Sequence, residues 1–232
     1  MAEEVKYKPP EPNTGDTAHL VASGVMSFIP GLPELFQYFI TPPLEKRRMK
    51  WMEDVGQALR ELEKNRGVKL EELQSNDTFI DTVLHATQIA LRNSQEEKRD
   101  ALRNAVINAA LPNPPDESIQ LMFLNLVDTF TVWHLRLLRL FQNPKGWFAG
   151  NDKQAPSFAI SSSLARLLTA AYPELGNQRP FYDLVINELD AKGLFSGGGT
   201  HTMMSATGAF EKRTTDLGDR FLQFVTDQTR RE

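Results

Sequence analysis

Lys192-Gly193 closes an amphipathic run that opens at Arg179-Pro180, and the residues around this stop constrain the last fifth of the chain more tightly than any earlier stretch. Phe181, Leu184, Val185, Leu189 and Leu194 recur at helical spacing among Asp183, Asn187, Glu188 and Asp190. Such spacing places the apolar side chains along one helix face. Proline suits the first helical position, and glycine tolerates the left-handed backbone that a C-terminal cap needs. Leu194-Phe195 then opens a strand, Ser196 to Gly199 turns, and Met203 to Phe210 returns as a second strand. Thr214-Thr215-Asp216 caps a final helix with Leu217, Phe221, Leu222, Phe224 and Val225 on its apolar face. The spacing predicts helix, β-hairpin, helix over residues 179–225.

Residues 1–18 hold Pro9, Pro10, Pro12 and Gly15 among polar residues and read as a flexible arm. Leu20 to Ile40 carries one charge, Glu34. A continuous helix of that length reaches about 31 Å, enough for a hydrocarbon core of roughly 30 Å. Pro30-Gly31 and Pro33 interrupt it, so the segment reads as an apolar helical hairpin of two halves too short to span. It can pack on its own core, self-associate, or dip into a bilayer with help from Lys46, Arg47, Arg48 and Lys50. Pro42-Pro43 ends the hairpin and starts the longest helix, Leu44 to Lys64, with Trp51, Met52, Val55, Leu59 and Leu62 along one stripe.

Gly67 stops that helix. A short one follows around Leu70 to Leu73, and Ser75-Asn76-Asp77 caps another. Ser94-Gln95-Glu96-Glu97 has the form of a capping box before a helix with Ala101, Leu102, Val106, Ile107 and Ala110. Pro112, Pro114 and Pro115 mark an internal boundary, because helices do not continue through such a cluster. The fold class is therefore mainly α. An N-terminal helical domain spans 19–112 with its apolar hairpin first, and a second domain spans 116–232. In the second, helices fall at 131–142, 163–172 and 179–192, Asn143 to Gly146 is a turn, and Phe148 to Pro156 is loop.

Little catalytic chemistry is legible. The chain has no Cys, which excludes disulfides and thiolate metal sites. His19, His85, His134 and His201 lie far apart, without carboxylates at metal-ligand spacing. His134, inside an apolar helix, reads as a core or edge residue. Ser161-Ser162-Ser163 lacks the Gly-x-Ser-x-Gly setting of a nucleophile and reads as a cap. Gly197-Gly198-Gly199 precedes no Lys-Ser/Thr and no helix N-terminus, so it suits a hairpin tip better than a phosphate loop. No enzyme activity, metal, cofactor or small-molecule substrate is implied.

A helix ending in Lys-Gly-Leu-Phe, a glycine-bearing hairpin and then Thr-Asp-Leu-Gly-Asp-Arg-Phe-Leu (215–222) resembles the recognition helix, wing and following helix of winged-helix domains. Together with Pro-Pro-Leu-Glu-Lys-Arg-Arg (42–48) and Thr-Val-Trp-His-Leu-Arg-Leu-Leu (131–138), the layout over residues 20–225 resembles uncharacterised bacterial proteins similar in arrangement to the abortive-infection alpha-like group. The resemblance implies a bacterial source and a part in phage defence, and it carries no catalytic residues.

Charge decides between two functional expectations. The whole chain has a formal net charge of −4, and residues 116–232 hold 12 Lys and Arg against 13 Asp and Glu. The Arg179 to Lys192 helix has two basic and three acidic residues. Duplex binding draws on several phosphate contacts and usually a visible basic face. A winged-helix transcription regulator is thus the lesser expectation, with Asn177, Gln178 and Arg179 reading bases and Lys212 and Arg213 touching backbone. The greater one is a non-enzymatic interaction protein that meets itself, a protein partner or a membrane surface through Phe28, Leu32, Leu35, Phe36 and Phe39. With Glu3 and Glu4 leading and no secretory pattern, the expected location is cytoplasmic, at most peripheral to the inner membrane.

Overall fold

A computed structural model describes the backbone of residues 32–228 and the side chains of residues 43–228. The chain forms two compact units, Met1–Lys50 and Trp51–Glu232. The described residues are mainly helical, with one small antiparallel sheet.

Helix α1, Leu32–Arg66, is continuous. It corrects the expected N-terminal helical hairpin at one end, because Pro42-Pro43 lies inside the helix instead of separating two. Proline in a helix removes its own N–H donor but keeps a helical φ. Two missing bonds are therefore compatible with an unbroken 35-residue helix. Pro33 lies at the helix start, where no donor is required. The earlier part of the hairpin lies outside the described residues.

Within the second unit, Trp51, Val55 and Leu62 of α1 are buried, and the Trp51 indole N–H donates to Thr87 Oγ1 at 2.9 Å. Gly67, at φ +67°, turns the chain out of α1. There follow α2 (Leu70–Leu73), α3 (Asp77–Arg92), α4 (Glu96–Ala109) and α5 (Glu117–Thr129). Asn76 caps α3 by accepting the Phe79 N–H at 3.0 Å. Ala101, Leu102, Ala105 and Val106 of α4 are fully buried, as are Ala86 and Ala90 of α3. Small side chains at such positions let helix backbones approach closely.

The expected capping box at Ser94 is absent: α4 starts after Gln95 with no side-chain cap bond. Glu97 instead receives the Arg136 guanidinium through both carboxylate oxygens. A bidentate charged pair is stronger than a neutral cap bond. At the far end of α5 the buried Lys98 ammonium donates to the Asp128 carbonyl at 2.8 Å. That position satisfies a terminal carbonyl with positive charge at the negative end of the helix dipole.

The prolines at 112, 114 and 115 lie in the α4–α5 turn inside the second unit. Helices on both sides of them share one core, since α4 packs on both α5 and the last helix of the chain. Then come α6 (Val132–Gln142), α7 (Pro144–Gly150), β1 (Ser161–Ser162), α8 (Leu164–Ala171), a 3-10 turn at Pro173–Leu175, and α9 (Arg179–Ala191). Strand β2 (Met204–Ser205), a 3-10 turn at Gly208–Phe210 and α10 (Asp216–Val225) complete the described order. The Asn143 to Gly146 turn is in fact the start of α7, where Asn143 Oδ1 accepts the Gly146 N–H at 3.0 Å and Pro144 takes the first position.

The expected hairpin between Leu194 and Phe210 does not form. Met204–Ser205 pairs with Ser161–Ser162, and Phe195 bridges to Thr214. Backbone donors fix both choices: Ser196 N–H reaches Arg213 O at 2.8 Å, and Ala206 N–H reaches Ile160 O at 3.3 Å. The extended pieces thus find partners before α8 and before α10, which local alternation could not specify.

Helix α10 fastens the unit. Thr215 Oγ1 accepts the Gly218 N–H at 3.0 Å and donates to Gly193 O at 2.6 Å, while Thr215 N–H donates to Leu194 O at 3.1 Å. Phe221 and Phe224 then meet Phe123 with ring centroids 5.4 and 5.8 Å apart. Asn108 of α4 donates to the carbonyls of Gln223, Phe224 and Thr226 at 3.1, 2.7 and 2.8 Å, capping the end of α10 from outside.

Among the described residues no single helix is long and apolar enough to cross a membrane. The bent pair α5–α6, angled at 117°, is apolar because its residues build the core: Phe123, Leu124, Leu135, Leu137 and Leu138 are fully buried.

A Cβ on Gly218 would overlap the Leu194 carbonyl oxygen. Gly218→Ala should therefore destabilise the protein by about 3 kcal/mol, the upper end for overpacked sites. Urea unfolding measures this, and a loss under about 0.5 kcal/mol, the scatter of ordinary surface changes, would show that α10 can shift away.

Candidate functional site

Pro180 lies in the first turn of α9, directly after Arg179, and Tyr182, Val185, Ile186 and Leu189 bury one face of the helix. Arg179, Leu184, Asn187, Glu188, Asp190 and Lys192 remain on the exposed side. Leu184 is 55% exposed. This outward face carries as many acidic as basic side chains, Glu188 and Asp190 against Arg179 and Lys192.

At its N-terminal turn, α9 holds a polar cluster. The Asp183 carboxylate accepts the Thr200 hydroxyl, lies 3.2 and 3.3 Å from His201 Nε2, and receives Arg179 Nε at 3.4 Å. Tyr182 OH stands 3.5 Å from the same His201 nitrogen. Partial burial pushes the Asp183 carboxyl up, but Thr200, His201 and Arg179 outweigh it and hold the group below its ordinary value. Thr200 O also accepts the Ala165 N–H at 2.8 Å. The loop from Ser196 to Met203 is thereby tied to α9 and α8 together.

The glycines of that loop serve packing. Gly198 has φ +67°, and a Cβ on Gly197 would press into the Phe195 ring and Leu164.

A second cluster centres on Asp219 of α10. Its carboxylate receives Lys212, Thr214 Oγ1 at 2.6 Å and Gln142 Nε2 at 3.2 Å. Burial again works against the charge, and these three donors hold the Asp219 carboxyl below its ordinary value. Gln142, Lys212, Asp219 and Gln223 line a shallow depression. Arg213 donates to Gly208 O at 2.7 Å and lies 3.5 Å from Glu211.

Four of the five sequence-derived nucleic-acid residues, Gln178, Arg179, Lys212 and Arg213, are thus already engaged by this chain. Arg179 belongs to Asp183, Lys212 to Asp219, and Arg213 to Gly208 and Glu211. Gln178 Nε2 donates to Glu174 O at 3.2 Å, and Asn177 is exposed in the turn before α9. Arg179 and the Lys212-Arg213 pair are held by different anchors. Of the contact residues, Phe28 and the side chains of Leu32, Leu35, Phe36 and Phe39 lie outside the described residues.

Residue reading by residue missed two pairs. His134 is buried, stacks on Phe130 at 4.4 Å, and joins α6 to α9 through Nε2 and Glu188 Oε2 at 2.7 Å. Thr131 N–H donates to His134 Nδ1 at 3.1 Å, so the neutral ring carries its proton on Nε2 and donates it to Glu188. The partners lie 54 residues apart, and those of His201–Asp183 lie 18 apart. Only the helix positions hinted at either.

Half-buried aromatic rings collect where α6, α7 and α8 meet. Trp133 and Tyr172 make an edge contact at 5.2 Å, Trp147 lies 5.0 Å from Tyr172, and Lys153 sits over both Trp147 and Tyr172. Burial pushes the Tyr172 phenol up to about 12, which leaves it protonated at neutral pH. Among the described residues no group of three or more His, Cys, Asp or Glu is placed to hold a metal.

Set beside protein-family models, curated proteins and solved structures, the chain matches none.

Burial lowers the His134 pKa from 6.5, with Glu188 opposing. A histidine whose folded value is depressed binds fewer protons folded than unfolded. Its contribution is therefore intact above the unfolded value and lost as pH falls below about 6.5. Unfolding midpoints measured from pH 7.5 to 5 should drop in the natural protein and drop less in His134→Gln. Equal slopes in both would refute the assignment. Asp183 titrates outside this window, since its carboxyl is held below 3.8.

Proposed function

We propose that this chain is a non-enzymatic bacterial interaction protein, a phage-defence component that associates through its N-terminal apolar segment and the basic turn that follows. One observation carries the reading: in α1, Leu44 and Met49 are 41% and 69% exposed, in a stretch where Lys46, Arg48 and Lys50 are exposed too. This stretch directly follows the nearly uncharged run from Leu20 to Ile40. Exposed apolar residues interleaved with cations suit an anionic membrane surface, or a partner that offers acidic groups around an apolar centre. The location that goes with this reading is the cytoplasmic face, peripheral to the inner membrane.

A second reading makes residues 132–225 a winged-helix-like unit on DNA. The helix order α6, α8, α9 supports it, with β1 before α8, β2 after α9 and the Phe195–Thr214 bridge closing the far side. The charge pattern opposes it. A phosphate would have to displace Asp183 from Arg179 and Asp219 from Lys212, and the outward face of α9 bears Glu188 and Asp190. A winged-helix-like unit acting as a protein-binding body is the better fit.

Flotation with anionic phosphatidylglycerol vesicles, together with a sizing run, tests the first reading. Near such a surface each Lys or Arg contributes about 1 kcal/mol, so K46E/R48E/K50E should weaken partitioning on the order of 100-fold. A protein that is strictly monomeric, stays below the vesicles and co-purifies with nothing would end this reading. A gel shift at low salt, abolished by Arg179→Ala, would favour the DNA reading instead.

A further inference from the structure

Arg139 stands half-buried in the last turn of α6, and its buried Nε has no hydrogen-bond partner among the described residues. A cation suits the end of a helix, yet among the described residues this guanidinium makes no hydrogen bond to the end carbonyls and no ion pair. The carboxylates whose charge reaches it are committed elsewhere. Glu97 holds Arg136 through both oxygens, and Asp100 holds Arg103 at 3.2 Å. Charges drawn out of water are ordinarily paired, because desolvating a lone cation is costly. Arg139 departs from that rule.

Its surroundings supply further donors. Tyr172, at the end of α8, keeps its phenol proton at neutral pH, and its hydroxyl reaches Arg136 O at 3.5 Å, the outer limit for such a bond. The charge of Arg139 acts on the same hydroxyl. Lys153 Nζ lies 5.7 Å from the centre of the Tyr172 ring, donates to Ala171 O at 2.7 Å, and has no ion pair among the described residues. Trp147 and Trp133 flank that ring at 5.0 and 5.2 Å. Aromatic walls with a few polar groups set among them are the composition of a small-molecule site. These polar groups are donors, so the complementary ligand is an acceptor with negative charge.

We propose that Arg139 and the Tyr172 hydroxyl bind an oxyanion, the carboxylate or phosphate of a small molecule, beside the rings of Trp133 and Trp147. A guanidinium presents a planar fork that matches either group. The assignment does not depend on the association surface in α1.

The arginine Nε–H resonances of the natural protein, titrated with inorganic phosphate and with acetate at constant ionic strength, test the site. The Arg139 signal should shift and saturate, and the two affinities separate phosphate from carboxylate. Chloride should leave it in place. Binding followed by tryptophan fluorescence should weaken on the order of 10-fold in R139K, which keeps the charge but loses the fork. Y172F should weaken it about fivefold, the effect of one ordinary hydrogen bond. No saturable shift with either anion overturns the proposal. Unchanged affinity in either variant also overturns it, since the anion would then be held elsewhere.

Discussion

The carbonyl of Leu194 enters the first turn of α10, where it accepts the Thr215 N–H and lies against Gly218, whose missing Cβ leaves it room. Much of the second unit depends on this close approach. It fixes where α10 starts, and from there Phe221 and Phe224 fall against Phe123, while the helix end falls within reach of Asn108. A side chain at position 218 would push the helix outward and open the most buried aromatic contacts of the fold. The Thr-Asp-Leu-Gly phrase is therefore an instruction for packing: a cap, an acid near the helix N-terminus, an apolar residue, and a gap for a neighbouring backbone.

The same economy governs the charged groups. Arg136 is committed to Glu97, Lys98 to the end of α5, Arg179 to Asp183, Lys212 to Asp219 and Lys153 to the end of α8 through Ala171 O. Side chains that look available for a polyanion in the sequence thus act as internal ties. A phosphate competing for them would have to replace a carboxylate already in place, with little gain in free energy at physiological salt. Exposed cations among exposed apolar residues occur instead in α1, where association is proposed.

Helix starts and stops were the most legible part of the fold. Asn76, Ser163 and Thr215 cap where their side chains said they would, and Gly67 and Gly193 take positive φ at the ends of α1 and α9. These are local effects, decided within one turn of chain. Where a local signal failed, a distant partner had outcompeted it. Glu97 left a capping box for Arg136, 39 residues away, and Met204–Ser205 left the expected hairpin for Ser161–Ser162. The candidate site divides the same way. His134 could be seen as a core residue, but Glu188 as its partner could not, nor could the gathering of Thr200, His201 and Arg179 around Asp183.

By itself the sequence determined that the chain is mainly helical, where most helices begin and end, and that its charges nearly balance, with a formal net of −4. Those properties follow from side-chain spacing, caps and composition, all of which act over a few residues. Tertiary structure alone decided which strands pair, which acid holds which base, and that α4 and α10 share one core across the proline-rich turn. Such choices compare the free energies of contacts far apart in the chain, and no local pattern carries that comparison.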